Sequence, residues 1–464
     1  MKRFLGGSAV AIALCLVSTS AYAGSSAALL KRLHDKGILS DEDYSELLKE
    51  DTEQAQNAVT APPPAPVQAP ATGGGRIIKA TDSGIGFEVG GATIKFSGSV
   101  NGFYVSDNGQ TPGANTTVVG GVTNVGNSTS AVRNGLLPGF FKIDVTTTQG
   151  GWDVGAHFGM YPGINSAAWG TLGANNGGQP TALATAGIDF RQTYLTVARK
   201  GFGELKIGRD VGLFGQDAIL NDITLLTPGT PGSNIAPSNT TLGRIGVGYI
   251  YTDFQPQITY TTPSFMGLKA SVGVFQPLAS LTGPTESNTQ PGFQARIAYD
   301  TKLGGVGLHS WVSGITQKHD ILGGGSYVGR GIDFGSKATV GPVSVLGYYY
   351  TAKGLGTTVL NLFDTDGNGN TRGSEGYYFQ AVLNHGKWTL AGSYGASLLH
   401  FADASDAVSN PTLVRRNESE VGQVRYGLTS WVTLIGEYTH SHSVAHNNNS
   451  ASSNTVAVGG ILFF

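Results

Sequence analysis

The sequence predicts an all-β protein: a transmembrane antiparallel β-barrel of about sixteen strands, preceded by a short N-terminal helical hairpin. Three observations carry this. From residue 76 to Phe464, apolar and polar residues alternate with a period of two. That is the pattern of strands with one apolar and one polar face. Long polar connections alternate with tight turns along the same stretch. After Val17, no run approaches the ~20 apolar residues a membrane helix needs.

Composition narrows the alternatives. Glycine supplies 70 of 464 residues, and only 13% are charged, about half the ordinary share. An aromatic content of 9% excludes a disordered chain. The glycines keep no three-residue period, which excludes collagen.

Residues 1–23 read as a secretory signal peptide. Lys2 and Arg3 precede an apolar run from Phe4 to Val17, and Ala21-Tyr22-Ala23 sets cleavage before Gly24. Cys15, the one cysteine, lies inside it, so the mature chain has no disulfide or thiol chemistry. That chain carries 27 basic and 31 acidic residues, which offers no basic surface for nucleic acid.

Residues 24–55 predict the helical hairpin. Leu29, Leu30 and Leu33 share one helical face, and Gly37 stops the helix. Ser40 caps a second helix with Asp41, Glu42 and Asp43 in its first turn, where negative charge suits the dipole. So short a hairpin buries little core alone, which points to self-association. Residues 56–75, with Ala61-Pro62-Pro63-Pro64-Ala65-Pro66 and Gly73-Gly74-Gly75, form a semi-rigid linker.

Residues 76–464 form the barrel. Long gaps fall near 106–133, 162–186, 210–242, 276–291, 318–326, 354–375, 400–416 and 443–452. Tight turns between them include Gln149-Gly150-Gly151, Lys302-Leu303-Gly304 and Asn384-His385-Gly386-Lys387. Eight loops and seven turns imply sixteen strands. An even count with alternating connection lengths is the plan of outer-membrane barrels.

The last strand, Val456, Val458, Gly460, Leu462 and Phe464, resembles the C-terminal strand of Gram-negative outer-membrane proteins. Arg191-Gln192-Thr193-Tyr194-Leu195, then Gly201-Phe202-Gly203 and a strand ending in Gly208-Arg209, resemble a segment of the general porins. Gly243-Arg244-Ile245-Gly246 and Tyr260 to Leu268 are similar to that family's next two strands. The resemblance implies a trimeric sixteen-stranded barrel whose third loop, about 210–242, folds into the pore. It also implies loop carboxylates, here Asp217 and Asp222, facing wall arginines, here Arg209 and Arg244, with Arg191 a further candidate. Two departures stand out. Thr227 to Gly232 replaces the family's acidic segment, and Pro138-Gly139 sits where the second strand would carry an arginine.

Asp364, Asp366, Asn368, Gly369 and Glu375 match the calcium-loop pattern D-x-D-x-N-G-x5-E, and Asn370 joins the candidate ligands. A surface loop rich in Asp, Asn and Gly is the competing reading. His440 and His442 share a strand face, with His446 nearby, and fit a solvated loop better than a metal site. No Ser/His/Asp constellation or zinc motif appears, so no enzyme and no required cofactor is expected.

The functional reading is an outer-membrane porin for passive diffusion of small hydrophilic solutes and ions. Its partners would be membrane lipid, lipopolysaccharide and its own trimer mates. An anion- or phosphate-selective pore is the first alternative, but the barrel's 23 basic and 23 acidic residues do not favour it. The second is a structural protein whose N-terminal hairpin tethers the envelope from the periplasm, in contact with the cell wall.

Overall fold

The computed structural model describes residues 78–464, apart from 83, 127, 166–174, 178–184 and 231–239, and Ser45 ahead of them. The expected signal peptide, the expected hairpin other than Ser45, and the expected linker lie outside the described residues.

The chain forms β1 (Lys79–Ala80), β2 (Ile85–Val89), β3 (Ala92–Asn108), β4 (Thr129–Arg133), β5 (Phe140–Gln149), β6 (Trp152–Pro162) and β7 (Asn175–Gly177). Then come β8 (Thr185–Arg199), β9 (Gly203–Val211), β10 (Phe254–Thr261), β11 (Leu268–Phe275), β12 (Gly292–Leu303), β13 (Val306–Asp320) and β14 (Ser326–Val340). The last are β15 (Val343–Lys353), β16 (Gly373–His385), β17 (Trp388–Leu399), β18 (Val414–Gly427), β19 (Val432–Ala445) and β20 (Ser450–Phe463). Two short helices, α1 (Gln216–Asn221) and α2 (Ala404–Ser409), lie in connections.

Sixteen of these strands, β3, β5, β6 and β8 to β20, close an antiparallel ring. The ring closes where β20 pairs with the upper half of β3, Asn454 opposite Asn108 and Phe463 opposite Ser99. Phe464 then exchanges both backbone hydrogen bonds with Gly98. The remaining strands are additions. A hairpin of β1 and β2 lies along the lower half of β3. β4 lies on the upper half, and β5 takes over from Ser99. Between them, residues 134–139 leave the wall, around the Pro138-Gly139 that marked the departure in sequence.

Burial is inverted relative to a soluble protein. Ile332, Phe334, Val345, Phe379, Leu390, Leu434 and Val458 are exposed, whereas Ser313, Asp333, Gln423, Glu437, Thr439 and Ser441 are buried. Period-two alternation sends the first set outward to lipid and the second into the lumen. Aromatic pairs mark the end with the short turns: Trp152 with Phe202, Trp388 with Tyr426, and Trp431 with Phe464, centroids 6.3, 4.8 and 6.1 Å apart. Rings of this kind anchor a barrel at the lipid–water boundary.

The largest apolar core lies inside the ring. Leu136, Phe214, Ile219, Leu242, Ile245, Val247, Tyr249 and Ile250 pack against the wall's Trp311, Leu346, Tyr348 and Tyr378. Most of the first set belong to the connection between β9 and β10, so the third long loop folds inward. It runs from residue 212 to 253, eleven residues beyond its expected end. The strand expected at Arg244 is therefore loop.

Gly208 adopts φ +135°, and a Cβ there would lie 2.4 Å from the Thr193 carbonyl oxygen across the β8–β9 pair. Gly208→Val is expected to cost about 1–3 kcal/mol in backbone strain alone. Heat-modifiability on gels, which reports barrel unfolding, should show a lower transition temperature than wild type.

Candidate functional site: the inward loop and the lumen wall

Two wall carboxylates hold the inward loop. Gly215, at φ 75°, starts α1, and its N–H donates to Asp333 Oδ2 of β14 at 2.7 Å. Asp333 also accepts from the Ser313 hydroxyl at 2.6 Å. Five strands further round the ring, Glu437 of β19 accepts from the Thr227 hydroxyl at 2.5 Å, the Gly229 N–H at 2.7 Å and the Gln423 amide at 2.6 Å. Backbone N–H groups of a loop need partners once buried, and these carboxylates supply them. Between the anchors, Tyr378 donates to the Ala218 carbonyl at 2.7 Å, and Gln380 accepts the Ile223 N–H at 3.0 Å. Arg133, the last residue of β4, donates to the Thr240 carbonyl from a third side.

The loop carboxylates have different tasks. Asp217 meets the wall: Arg296 of β12 binds it in a bidentate fork, 2.5 and 2.7 Å, and His309 Nε2 of β13 lies 3.2 Å away. His309 Nδ1 continues to Asp300 at 2.7 Å. Asp222 faces the loop's own interior. It accepts from the Thr224 N–H at 2.8 Å and the Tyr249 hydroxyl at 2.9 Å.

The three candidate arginines separate as well. Arg244 is fully buried on the loop and donates to the Ser419 hydroxyl and carbonyl, both at 3.2 Å. Arg191 pairs with Asp189 at 2.7 Å and stacks on Tyr161 and Phe254. A register shift between β6 and β8 lies beside it, which is why its facing is unreadable from alternation. Arg209 shares the parity of exposed Leu205 and Ile207 on the outward face, and donates to the Phe254 carbonyl at 2.5 Å. The structure thus brings Asp217, Asp222 and Arg244 into the inward loop and leaves Arg209 outside it.

The sequence reading missed most of the lumen belt. On β5 to β9, Asp144 contacts His157 at 2.5 Å, His157 stacks on Tyr194 at 4.6 Å, and Lys206 pairs with Asp210. Lys142 shares the inward parity of Asp144. With Asp217, Arg296, His309 and Asp300, these groups form an inward belt of mixed sign. Alternation could have found Arg296, because Gln294, Arg296 and Ala298 share the face opposite Phe293, Ile297 and Tyr299.

Cavities open on both sides of the loop. One of about 510 Å³ is lined by Leu226, Lys387, Arg425, Thr433 and Phe463 at the short-turn end. Another of about 180 Å³ lies among the long loops, beside Phe363, Asp366, Arg372 and Leu413.

The calcium candidates divide. Asp366 Oδ1 accepts from the N–H groups of Asn368 at 2.9 Å and Asn370 at 3.0 Å. Asp364 turns away to Ser280 and Tyr327, at 2.6 and 2.7 Å. Glu375 lies in β16, where alternation takes it outward to the Tyr349 hydroxyl at 2.8 Å. His440 contacts Asn454 at 2.9 Å, His442 contacts Glu418 at 3.1 Å, and His446 reaches the Leu399 carbonyl at 3.0 Å.

A family model described as Gram-negative porin matches residues 78–460. The chain belongs to the Gram-negative porin family. The porin's fold is similar to the outer membrane channel DcaP of Acinetobacter baumannii, with TM-score 0.60 and 15% identity, over 81% of this chain and 98% of that one. It is also similar to an anion-selective porin from Comamonas acidovorans, with TM-score 0.55 and 16% identity, over 80% and 100%. Salmonella typhi OmpF, in complex with daunomycin, gives TM-score 0.51 and 12% identity, over 81% and 98%. No curated protein matches it. The porin is an outer-membrane channel for small solutes.

Asp217→Ala leaves Arg296 without its fork partner on a mostly buried surface. Breaking one side of such a pair costs about 3–5 kcal/mol. Loop detachment should appear as larger open-channel current noise in planar bilayers. Restoring balance with Asp217→Ala/Arg296→Ala should recover part of the loss in heat stability.

Proposed function

We propose that the porin passes small hydrophilic solutes and ions by passive diffusion, with weak charge preference, through the space the third loop leaves in the lumen. The carrying observation is the inward loop meeting a belt of mixed sign. Lys142, Lys206 and Arg296 stand among Asp144, Asp210, Asp217 and Asp300, most of them in pairs. Paired charges of both signs filter by size and dipole more than by net charge. An anion- or phosphate-selective pore would need unpaired basic groups in succession along the path. The belt's groups supply field and fit for passive diffusion, not the groups of an enzyme.

The assembly is proposed to be a homotrimer in contact with lipopolysaccharide, as the family resemblance implies. The first strand, β1, lies beside the Gly90-Gly91 turn and therefore at the short-turn end of the barrel. Short turns face the periplasm in such barrels. This supports a periplasmic position for the segment 24–75, where it would aid trimer assembly or touch the cell wall.

Planar-bilayer recording across a salt gradient tests the reading. Stepwise conductance with a reversal potential near zero is expected. A strongly shifted reversal potential, with block by phosphate, would replace it with the selective pore. The same recordings on protein lacking 24–75 should show unchanged single-channel steps.

A further inference from the structure

Away from the lumen belt, three side chains from distant segments meet among the long loops. Glu286 comes from the connection between β11 and β12, His319 from the end of β13, and Asp364 from the connection between β15 and β16. One ligand atom from each lies within 4.8 Å of the other two. All three side chains are closed to solvent. His319 Nδ1 lies 2.9 Å from Glu286 Oε2. The ring of Tyr327 stacks on His319 at 4.4 Å.

Two counts fail to balance in this pocket. The Tyr327 hydroxyl lies 2.6 Å from Glu286 Oε1 and 2.7 Å from Asp364 Oδ2. A phenol has one proton, so it satisfies one of two ionised oxygens, not both. Charge is the second count. Among the described residues, neither carboxylate is paired with a lysine or arginine. Nearby Lys318 goes to Asp320, and Arg372 goes to Asp406. Even with His319 protonated, a net negative charge stays buried, which is costly without a counter-ion. The next residue, Thr365, is also buried, and its hydroxyl has no hydrogen-bond partner among the described residues.

We propose that Glu286, His319 and Asp364 bind a divalent metal ion of borderline softness, Zn²⁺ being the best match. One imidazole nitrogen and two carboxylate oxygens are donors that zinc accepts, with a fourth position left for water or Tyr327. Calcium asks for about six to eight oxygens, more than this pocket offers. Zinc bonds of about 2.0–2.2 Å require the three donors to draw closer together by small side-chain rotations. The dication removes the charge excess and leaves the Tyr327 proton one carboxylate to serve. The site shares Asp364 with the calcium-loop pattern but uses none of Asp366, Asn368, Asn370 or Glu375. It would clamp two long loops to the β13–β14 hairpin.

Protons compete for the same place. Burial pushes the Asp364 carboxyl above its ordinary value. Burial also pushes Glu286 up, but hydrogen bonds from Tyr327, Asn288 and His319 outweigh it and hold that carboxyl low. A metal ligand must give up its proton, so the raised Asp364 carboxyl makes binding weaken as pH falls toward the carboxyl range.

The test is calorimetric titration of ZnCl₂ into full-length, EDTA-stripped protein in detergent, with CaCl₂ as the comparison. One saturable zinc site per chain is expected, with a rise of a few degrees in unfolding temperature. His319→Ala and Glu286→Gln should each weaken binding at least about tenfold. Asp366→Ala and the pair His440→Ala/His442→Ala should bind as wild type does. X-ray absorption of zinc-loaded wild type should show a mixed shell of one nitrogen and several oxygens, a readout independent of variant folding. No saturable zinc binding, equal binding by His319→Ala, loss of binding in the His440/His442 pair, or tighter binding of calcium would overturn the proposal.

Discussion

A ring of sixteen strands encloses more space than its inward side chains fill. The attachment of the third loop to Asp333 and Glu437 resolves that excess. Each carboxylate sits on the inward face of a strand and takes backbone N–H groups of the loop, Gly215 at one anchor and Gly229 at the other. With both ends of the crossing fixed, Phe214, Ile219, Ile245 and Ile250 bury against Trp311, Tyr348 and Tyr378. Each such side chain contributes roughly 1.5–3 kcal/mol in gross burial. The lumen thereby gains an apolar core without which the loop's buried polar groups would have no setting.

That arrangement shapes transport. On the function proposed above, solute meets not an open cylinder but a space bounded by the loop and a belt of charges of both signs. Arg296 serves both, because it belongs to the wall and grips the loop through Asp217. A group that holds the loop in place would also set part of the field along the proposed path. Changes at this pair should therefore alter stability and conductance together.

Much of the barrel was legible because lipid and water impose opposite demands on alternate residues. The two faces of each strand follow from that alternation, and the strand number follows from the eight long and seven short connections. The loop's far end was not legible. Gly243 to Tyr251 carry apolar residues that resemble a strand, but here they form the core inside the ring. Arg209 shows the limit of motif reasoning: it closes a family-like segment, yet Leu205 and Ile207 share its parity and place it outward. Arg191 depends on a register shift that no pattern reveals. The calcium-loop spacing is complete in sequence, but its last ligand falls in a strand, and strand geometry takes Glu375 to the other face. Glu286, His319 and Asp364 lie too far apart in sequence for any local pattern to join them.

The central claim is that residues 212–230 and 240–253 are a structural part of the lumen and not a surface loop. Hydrogen–deuterium exchange on the purified barrel tests it most directly. Amides donated to wall groups, those of Gly215, Ile223 and Gly229, should exchange as slowly as amides in β13 and β19. Exchange of these three as fast as that of the exposed connection around residues 322–325 would contradict the account.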